Sequence, residues 1–466
     1  MPLPPEPNSS SLTQTLRWAF RPLPFMQECR ERYGDSFSVR FLGFERPMVL
    51  ISDPAAIKAL YMERENGLPP GRNIVLEPVL GSQSVLLLEG AEHLARRKLM
   101  LPPFHGERMR SYESVVDEIV TAEIDSWPLD REFPVHSRMQ AVTLEVILRV
   151  VFGVADGPRL ERLRGMLGQV LTETASPRAQ LVGLATRRFG GRGPWARFEG
   201  QLKEVDDLLY AEIAERRAEE GIEERDDILS SLMLARFEDG AGSAERASEI
   251  AGDDERERAK HESDGMSDKE LRDQLMTLLL AGHETTATAL AWTFDLLLRH
   301  RAPLRRLRDS LETGEDDYLR ATISESLRLR PVLPLAGRRL AKELSVDGLN
   351  LPAGTDVTPA IWLTHTRADL YPEPFAFQPE RFLGEGPDTY AWIPFGGGIR
   401  RCLGASFAEF EMRIVLREVL TRCDLHKANP APEKTGRRNI TLSPRDGTPV
   451  VVTARRPARE RAPAAA

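Results

Sequence analysis

The segment Leu275–Leu298, LMTLLLAGHETTATALAWTFDLLL, constrains this chain more than any other stretch. It is apolar nearly all round, and a helix of that kind must bury every face, so it predicts a core helix wrapped by other elements. Ser267 followed by Glu270 predicts a capping box at its start. At its centre stand Gly282, His283, Glu284, Thr285 and Thr286. A carboxylate and a hydroxyl in such a helix cost on the order of a few kcal/mol if unpaired, so a functional reason explains them better than packing does. Gly282 weakens the helix, and a threonine hydroxyl can bond the carbonyl four residues back. The expectation is local opening, with room for a small ligand. His283-Glu284 does not begin a zinc-protease motif, because H-E-x-x-H needs histidine where Ala287 stands.

The rest of the chain supplies the wrapping. Its 466 residues, 41% apolar and 29% charged, can bury a large core without staples. A net charge of −8 argues against a nucleic-acid binder. Cys29, Cys402 and Cys423 are too scattered for a disulfide framework or a zinc ribbon, and lone thiols fit a reducing cytoplasm. The first twenty residues lack the pattern of a signal peptide, and no membrane span is expected. Trp18–Met26 is expected to pack on the body, since its prolines and arginine break an amphipathic helix. Ser36–Leu42 and Pro47–Ser52 read as a hairpin, and Asp53-Pro54 opens a helix. Helical spacing then dominates to about Leu234, with short strands returning near Asp356–Thr358 and Pro449–Thr453. Residues 241–270 carry ten acids against five bases and almost nothing apolar, which predicts an acidic surface insertion (241–265). Residues 1–454 are expected to form one catalytic domain, and 455–466 a disordered tail.

Phe395-Gly-Gly-Gly-Ile-Arg-Arg-Cys402-Leu-Gly404 is the most informative short stretch. Its glycines permit unusual backbone angles and close approach of a large flat ligand. Leu403, Phe407, Phe410 and Ile414 then fall at helical spacing, which puts Cys402 at a helix start where a thiolate is favoured. A single thiolate there suits one axial ligand of a haem iron.

This segment resembles the haem-binding signature of the cytochrome P-450 superfamily, F-x-x-G-x-R-x-C-x-G, at Phe395, Gly398, Arg400, Cys402 and Gly404. Ala281–Thr286 resembles the family's [A/G]-G-x-[D/E]-T-[T/S]. Glu325-Ser-Leu-Arg328 resembles its E-x-x-R, and Pro379-Glu-Arg381-Phe382 its P-E-R-F. The resemblance implies a mainly α, triangular cytochrome P-450 fold with small β-sheets. It also implies haem b (iron protoporphyrin IX) with Cys402 as the thiolate ligand, and Glu284 and Thr285 as the acid–alcohol pair that delivers protons. Glu325, Arg328 and Arg381 would form a structural lock under the haem loop. His93 and Arg97, four apart on one helix face and matching the family's H-x-x-x-R, join Arg339 and Arg400 as propionate donors, with Arg338 an adjacent rival to Arg339.

The implied activity is insertion of one oxygen atom from O2 into a lipophilic small molecule such as a fatty acid, terpenoid, steroid or polyketide. Electrons would come from a bacterial ferredoxin and ferredoxin reductase, because no flavin or nucleotide fingerprint is present. The rival readings are oxygen-independent or peroxide-driven chemistry on the same fold, and a non-enzymatic haem-based ligand binder. The Glu284–Thr285 pair argues against the first. Pocket walls are expected from residues 72–85, 277–285, 332–337 and 439–442. Arg96, Arg97, Lys98, Arg400, Arg401 and Arg413 are expected to form a cationic docking patch for the ferredoxin, and the protein is expected to be monomeric.

Overall fold

A computed structural model of the chain describes residues 3–44, 46–69, 72–106, 108–154, 157–175, 193–236, 265–438 and 440–457. The acidic insertion, apart from Gly265, lies outside the described residues. The fold is mainly helical with small sheets. It comprises two compact units: one from Met1–Pro69, Val116–Val142 and Glu284–Ala466, the other from Pro70–Val115 and Thr143–His283.

In the first unit, Ser10 caps a helix over Ser11–Phe20, and Pro22 opens a second over Pro22–Tyr33. The prolines therefore do not leave an irregular segment. They fall in the first turn of a new helix, where a missing N–H costs nothing. Phe25, Met26 and Cys29 bury against Phe37, Val39 and Leu50, as packing on the body requires. The hairpin forms between Ser36–Val39 and Met48–Ile51. Met48–Ile51 also pairs in parallel with Asp356–Pro359, whose other edge takes Arg338–Arg339. This four-stranded sheet thus joins the two ends of the sequence. Asp53 caps the helix Pro54–Met62 by accepting the Ala56 N–H at 3.0 Å. Ile57, Leu60 and Tyr61 of that helix bury against Val49, Ile51 and Val357 of the sheet.

A second sheet places Pro449–Arg455 between Glu132–Pro134 and Cys423–Lys427. The expected tail therefore begins later than residue 455. Arg455 ends a strand, and its guanidinium donates to the carbonyls of Ile124 and Trp127 at 2.9 and 3.0 Å. Residues 458–466 lie outside the described residues.

In the second unit, Arg216 is 2% exposed and donates to both carboxylate oxygens of Asp227, to Glu212 and to the Gly153 carbonyl. Gly153 has φ +64°, and a Cβ there would lie 2.3 Å from the Asp227 carboxyl carbon, so only glycine fits. Residues 83–85 are tied to the helix Asp268–Arg299. The Gln83 and Val85 N–H groups donate to Asp273 and Gln274, and the Ser84 and Thr277 hydroxyls are 2.7 Å apart.

That helix is the predicted core element, longer than the apolar run by about two turns at its start. Ser267 and Glu270 form the capping box in both directions, at 2.8 and 3.3 Å. The expected local opening is not present: the helix is continuous through Gly282–Thr286. A π-turn occurs instead at Ile147–Val151. The Ile147 methyl would lie 3.5 Å from a Cβ on Gly282, an ordinary contact, so this packing does not by itself demand glycine.

Candidate active site

The central helix is buried over most of its length, yet Ala281 is exposed and Leu278, Leu280, Gly282, Glu284 and Thr285 are half-buried. Positions 278, 281, 282 and 285 share one face. An apolar stripe ending in a threonine is therefore left open in the middle of a core helix. His283 points away from it: buried, its Nδ1 lies 2.9 Å from the Thr143 hydroxyl, which also donates to the His283 carbonyl.

Glu284 sits among four partners. Gln140 Nε2 donates to Oε2 at 2.7 Å, and the Thr288 hydroxyl donates to Oε1 at 3.4 Å. His136 Nε2 and Arg438 Nε each stand 3.6 Å from Oε1. Burial pushes the carboxyl above its usual range, opposed by the Arg438 charge and the two hydrogen bonds. Sequence motifs did not reveal His136 and Gln140. The available signal was a polar stripe, His136, Gln140 and Thr143, at spacings of four and three on the helix Val135–Val146.

The cysteine loop is shaped from both sides. Gly396 and Gly398 have φ of +67° and +66°. A Cβ on Gly397 would lie 2.4 Å from the Tyr61 ring, and one on Gly398 2.4 Å from the Tyr61 carbonyl oxygen. These two glycines are thus required by Tyr61, whereas a Cβ on Gly404 would meet nothing within 4 Å. Phe395 packs edge-on against Trp392, and its carbonyl accepts the Cys402 N–H at 2.9 Å. Cys402 is exposed and precedes the N-cap of the helix Ala405–Arg422, Gly404, by two residues, so it approaches the helix start without lying in its first turn. Cys29 and Cys423 are buried, and burial pushes both thiols up to about 11.

Behind the loop, Glu325 and Arg328 are fully buried and joined by two hydrogen bonds of 2.6 and 2.8 Å. Arg328 also donates to the carbonyls of His365, Pro374 and Ala376. Arg381 Nε lies 3.6 Å from Glu325 and its Nη2 donates to the Glu373 carbonyl, so the expected three-residue lock is assembled. Arg328→Ala strands a buried carboxylate, which costs about 3–5 kcal/mol. Urea unfolding followed by circular dichroism checks this loss.

No motif marks His365, yet it links this lock to the loop. Its Nδ1–H donates to the Arg328 carbonyl at 3.1 Å, and its Nε2 accepts the Ile393 N–H at 2.9 Å. Burial, and then the Arg328 charge, push the imidazole down to about 3 from 6.5. Protons bind the unfolded chain first, so this contribution is complete above pH 6.5 and is lost as pH falls from there toward 3. The slope is at most about 1.4 kcal/mol per pH unit. Thermal unfolding midpoints across that window are expected to fall less steeply in His365→Gln than in the parent.

The two adjacent candidate propionate donors have different surroundings. Arg339 makes two 2.8 Å hydrogen bonds to Asp356, its neighbour across the strand pair. Arg338 is buried, with its guanidinium over the Tyr61 ring and 3.5 Å from the Gly397 carbonyl. Among the described residues no carboxylate pairs with it. Burial lowers its affinity for a proton, the cost a bound anion would offset. Of the two adjacent candidates, Arg338 is the one without a carboxylate partner among the described residues. Arg400 is half-buried beside the loop, while in the second unit His93 is buried and Arg97 half-buried on the helix Gly90–Met100. The cationic patch also shrinks. Arg96 is buried and paired with Glu270, Arg413 lies 3.9 Å from Asp316, and Glu409 feels both Arg401 and Arg413. Lys98 and Arg401 remain exposed, in different units.

The family model described as Cytochrome P450 matches residues 4–448. Putative cytochrome P450 135B1 of Mycobacterium tuberculosis is 39% identical over 98% of this chain and 92% of its own length. Putative cytochrome P450 137 of the same species is 38% identical over 90% and 83%. A solved structure titled "Retinoic acid bound cyanobacterial CYP120A1" superposes with a TM-score of 0.79 at 23% identity, covering 97% of this chain and all of that one. No helix among the described residues is long and apolar enough to cross a membrane. With the fold, the cysteine loop and these relatives in agreement, the chain belongs to the cytochrome P450 family of haem-thiolate monooxygenases.

Proposed function

We propose that Cys402 is the thiolate ligand of the haem and that the protein oxygenates a lipophilic small molecule with electrons from a ferredoxin. The carrying observation is that Cys402, alone of the three cysteines, is exposed at the end of the glycine loop, while the other two are buried. The surroundings fit a haem: the open side of Gly404 leaves room for a flat ring, and Arg338 has no acidic partner among the described residues. Arg338 and Arg400 would hold a propionate, and by resemblance His93 and Arg97 would do the same. When bound, the haem supplies dioxygen activation, one atom going to substrate and the other to water. Glu284 holds a proton more readily than an exposed carboxyl, and Thr285 lies half-buried on the open helix face. Leu278, Ala281 and Gly282 on that face favour an apolar substrate.

A haem-spectrum screen across fatty acids, terpenoids, steroids and polyketides identifies the class, and NADPH consumption with a surrogate ferredoxin and reductase tests turnover. That rate is expected to fall as ionic strength rises, and Arg401→Glu to raise the apparent ferredoxin KM. A rate indifferent to salt removes the electrostatic docking face. Product formation without external electrons favours the oxygen-independent reading.

A further inference from the structure

The groups around Glu284 have a direction as well as a position. Arg438 Nη1 lies 3.3 Å from His136 Nδ1. A guanidinium can only donate, so Nδ1 must offer its lone pair and the ring proton must sit on Nε2. Nε2 is 3.2 Å from the Thr288 hydroxyl oxygen, which therefore accepts from it. The Thr288 hydroxyl proton is then free to point at Glu284 Oε1, 3.4 Å away. Each donor in this chain points toward the carboxylate. Gln140 holds the opposite oxygen at 2.7 Å, leaving Oε1 as the receiving atom. His136 and Thr288 are buried to 3% and 0% exposure, whereas the Arg438 side chain is 35% exposed. Only Arg438, the outermost member, reaches water to this extent.

We propose that His136 and Thr288 form a proton wire feeding Glu284, with Arg438 as its solvent-side gate. The proposal rests on reading Glu284 as the acid that delivers protons. When Arg438 swings aside, a proton from water binds His136 Nδ1. The Nε2–H bond then breaks as that proton passes to Thr288, and the threonine's own proton passes to Glu284 Oε1. One proton enters, one reaches the carboxylate, and nothing is oxidised or reduced. With Arg438 closed, its charge faces both the imidazole and the carboxylate, so Nδ1 is occupied and the entrance is shut.

The wire is tested on the holoenzyme by infrared spectroscopy at acidic pH. The Glu284 carboxyl band is identified by difference against Glu284→Gln, and its hydrogen–deuterium exchange is timed after transfer to D2O. Exchange is expected to slow about tenfold or more in His136→Phe and Thr288→Val. It should stay near the parent rate in Thr288→Ser, which keeps the hydroxyl, and quicken in Arg438→Ala. Parent-rate exchange in both His136→Phe and Thr288→Val overturns the wire, and slowed exchange in Arg438→Ala overturns the gate. Nitrogen-15 NMR of the imidazole gives a second reading: a neutral ring protonated on Nε2 supports the chain, and one protonated on Nδ1 sinks it. Normal product coupling in Glu284→Gln would instead remove the acid from the reaction, an outcome these two measurements do not touch.

Discussion

Cys402→Ala is expected to abolish the thiolate-type Soret band of the reduced carbon monoxide complex, and with it all oxygenation. Cys29→Ala and Cys423→Ala should keep both. Only Cys402 is exposed, with its N–H tied to the Phe395 carbonyl at 2.9 Å and an open side at Gly404. The other two thiols would have to leave 3% and 0% exposed sites and shed protons that burial holds up to about 11. Their alanine variants should lose only about 1 kcal/mol, the usual size for a small buried truncation. A thiolate-type band persisting in Cys402→Ala would reassign the ligand.

The second large effect is expected at Thr285. Thr285→Ala should bind haem and substrate normally but divert reducing equivalents to peroxide, with product formation down about 10²–10⁴-fold. The position is half-buried on the face that it shares with Leu278, Ala281 and Gly282. Product and peroxide are to be measured per NADPH consumed. Coupling equal to the parent would take Thr285 out of proton delivery, and poor haem retention would make it a structural residue instead.

The long apolar run, its capping box, the N-terminal hairpin and the Glu325–Arg328 pair were legible because each depends on local spacing or on a motif. The choice between Arg338 and Arg339 was not. It turns on the strand pair that sets Asp356 opposite Arg339, a register no local pattern encodes. The glycines point to unusual backbone angles and a close approach, but that the group crowding Gly397 and Gly398 is Tyr61, remote in sequence, no local pattern shows. His365 was invisible because both of its partners are backbone atoms, which any sequence possesses. Arg96 illustrates the opposite error: a charge counted as surface because its neighbours are charged, but folded inward onto Glu270.

The contact between Tyr61 and the cysteine loop also fixes an order of events during synthesis. Tyr61 leaves the ribosome early, whereas Gly397 and Gly398 follow more than 330 residues later. At roughly 5–20 residues per second, the surface that shapes the ligand loop waits about twenty seconds to a minute for its counterpart. A nascent chain therefore cannot present a finished cysteine loop before residue 402 has been added. Any ligand held by that loop is captured only after residue 402 has been made, and a chain cut short before residue 397 has a Tyr61 surface with no loop to shape.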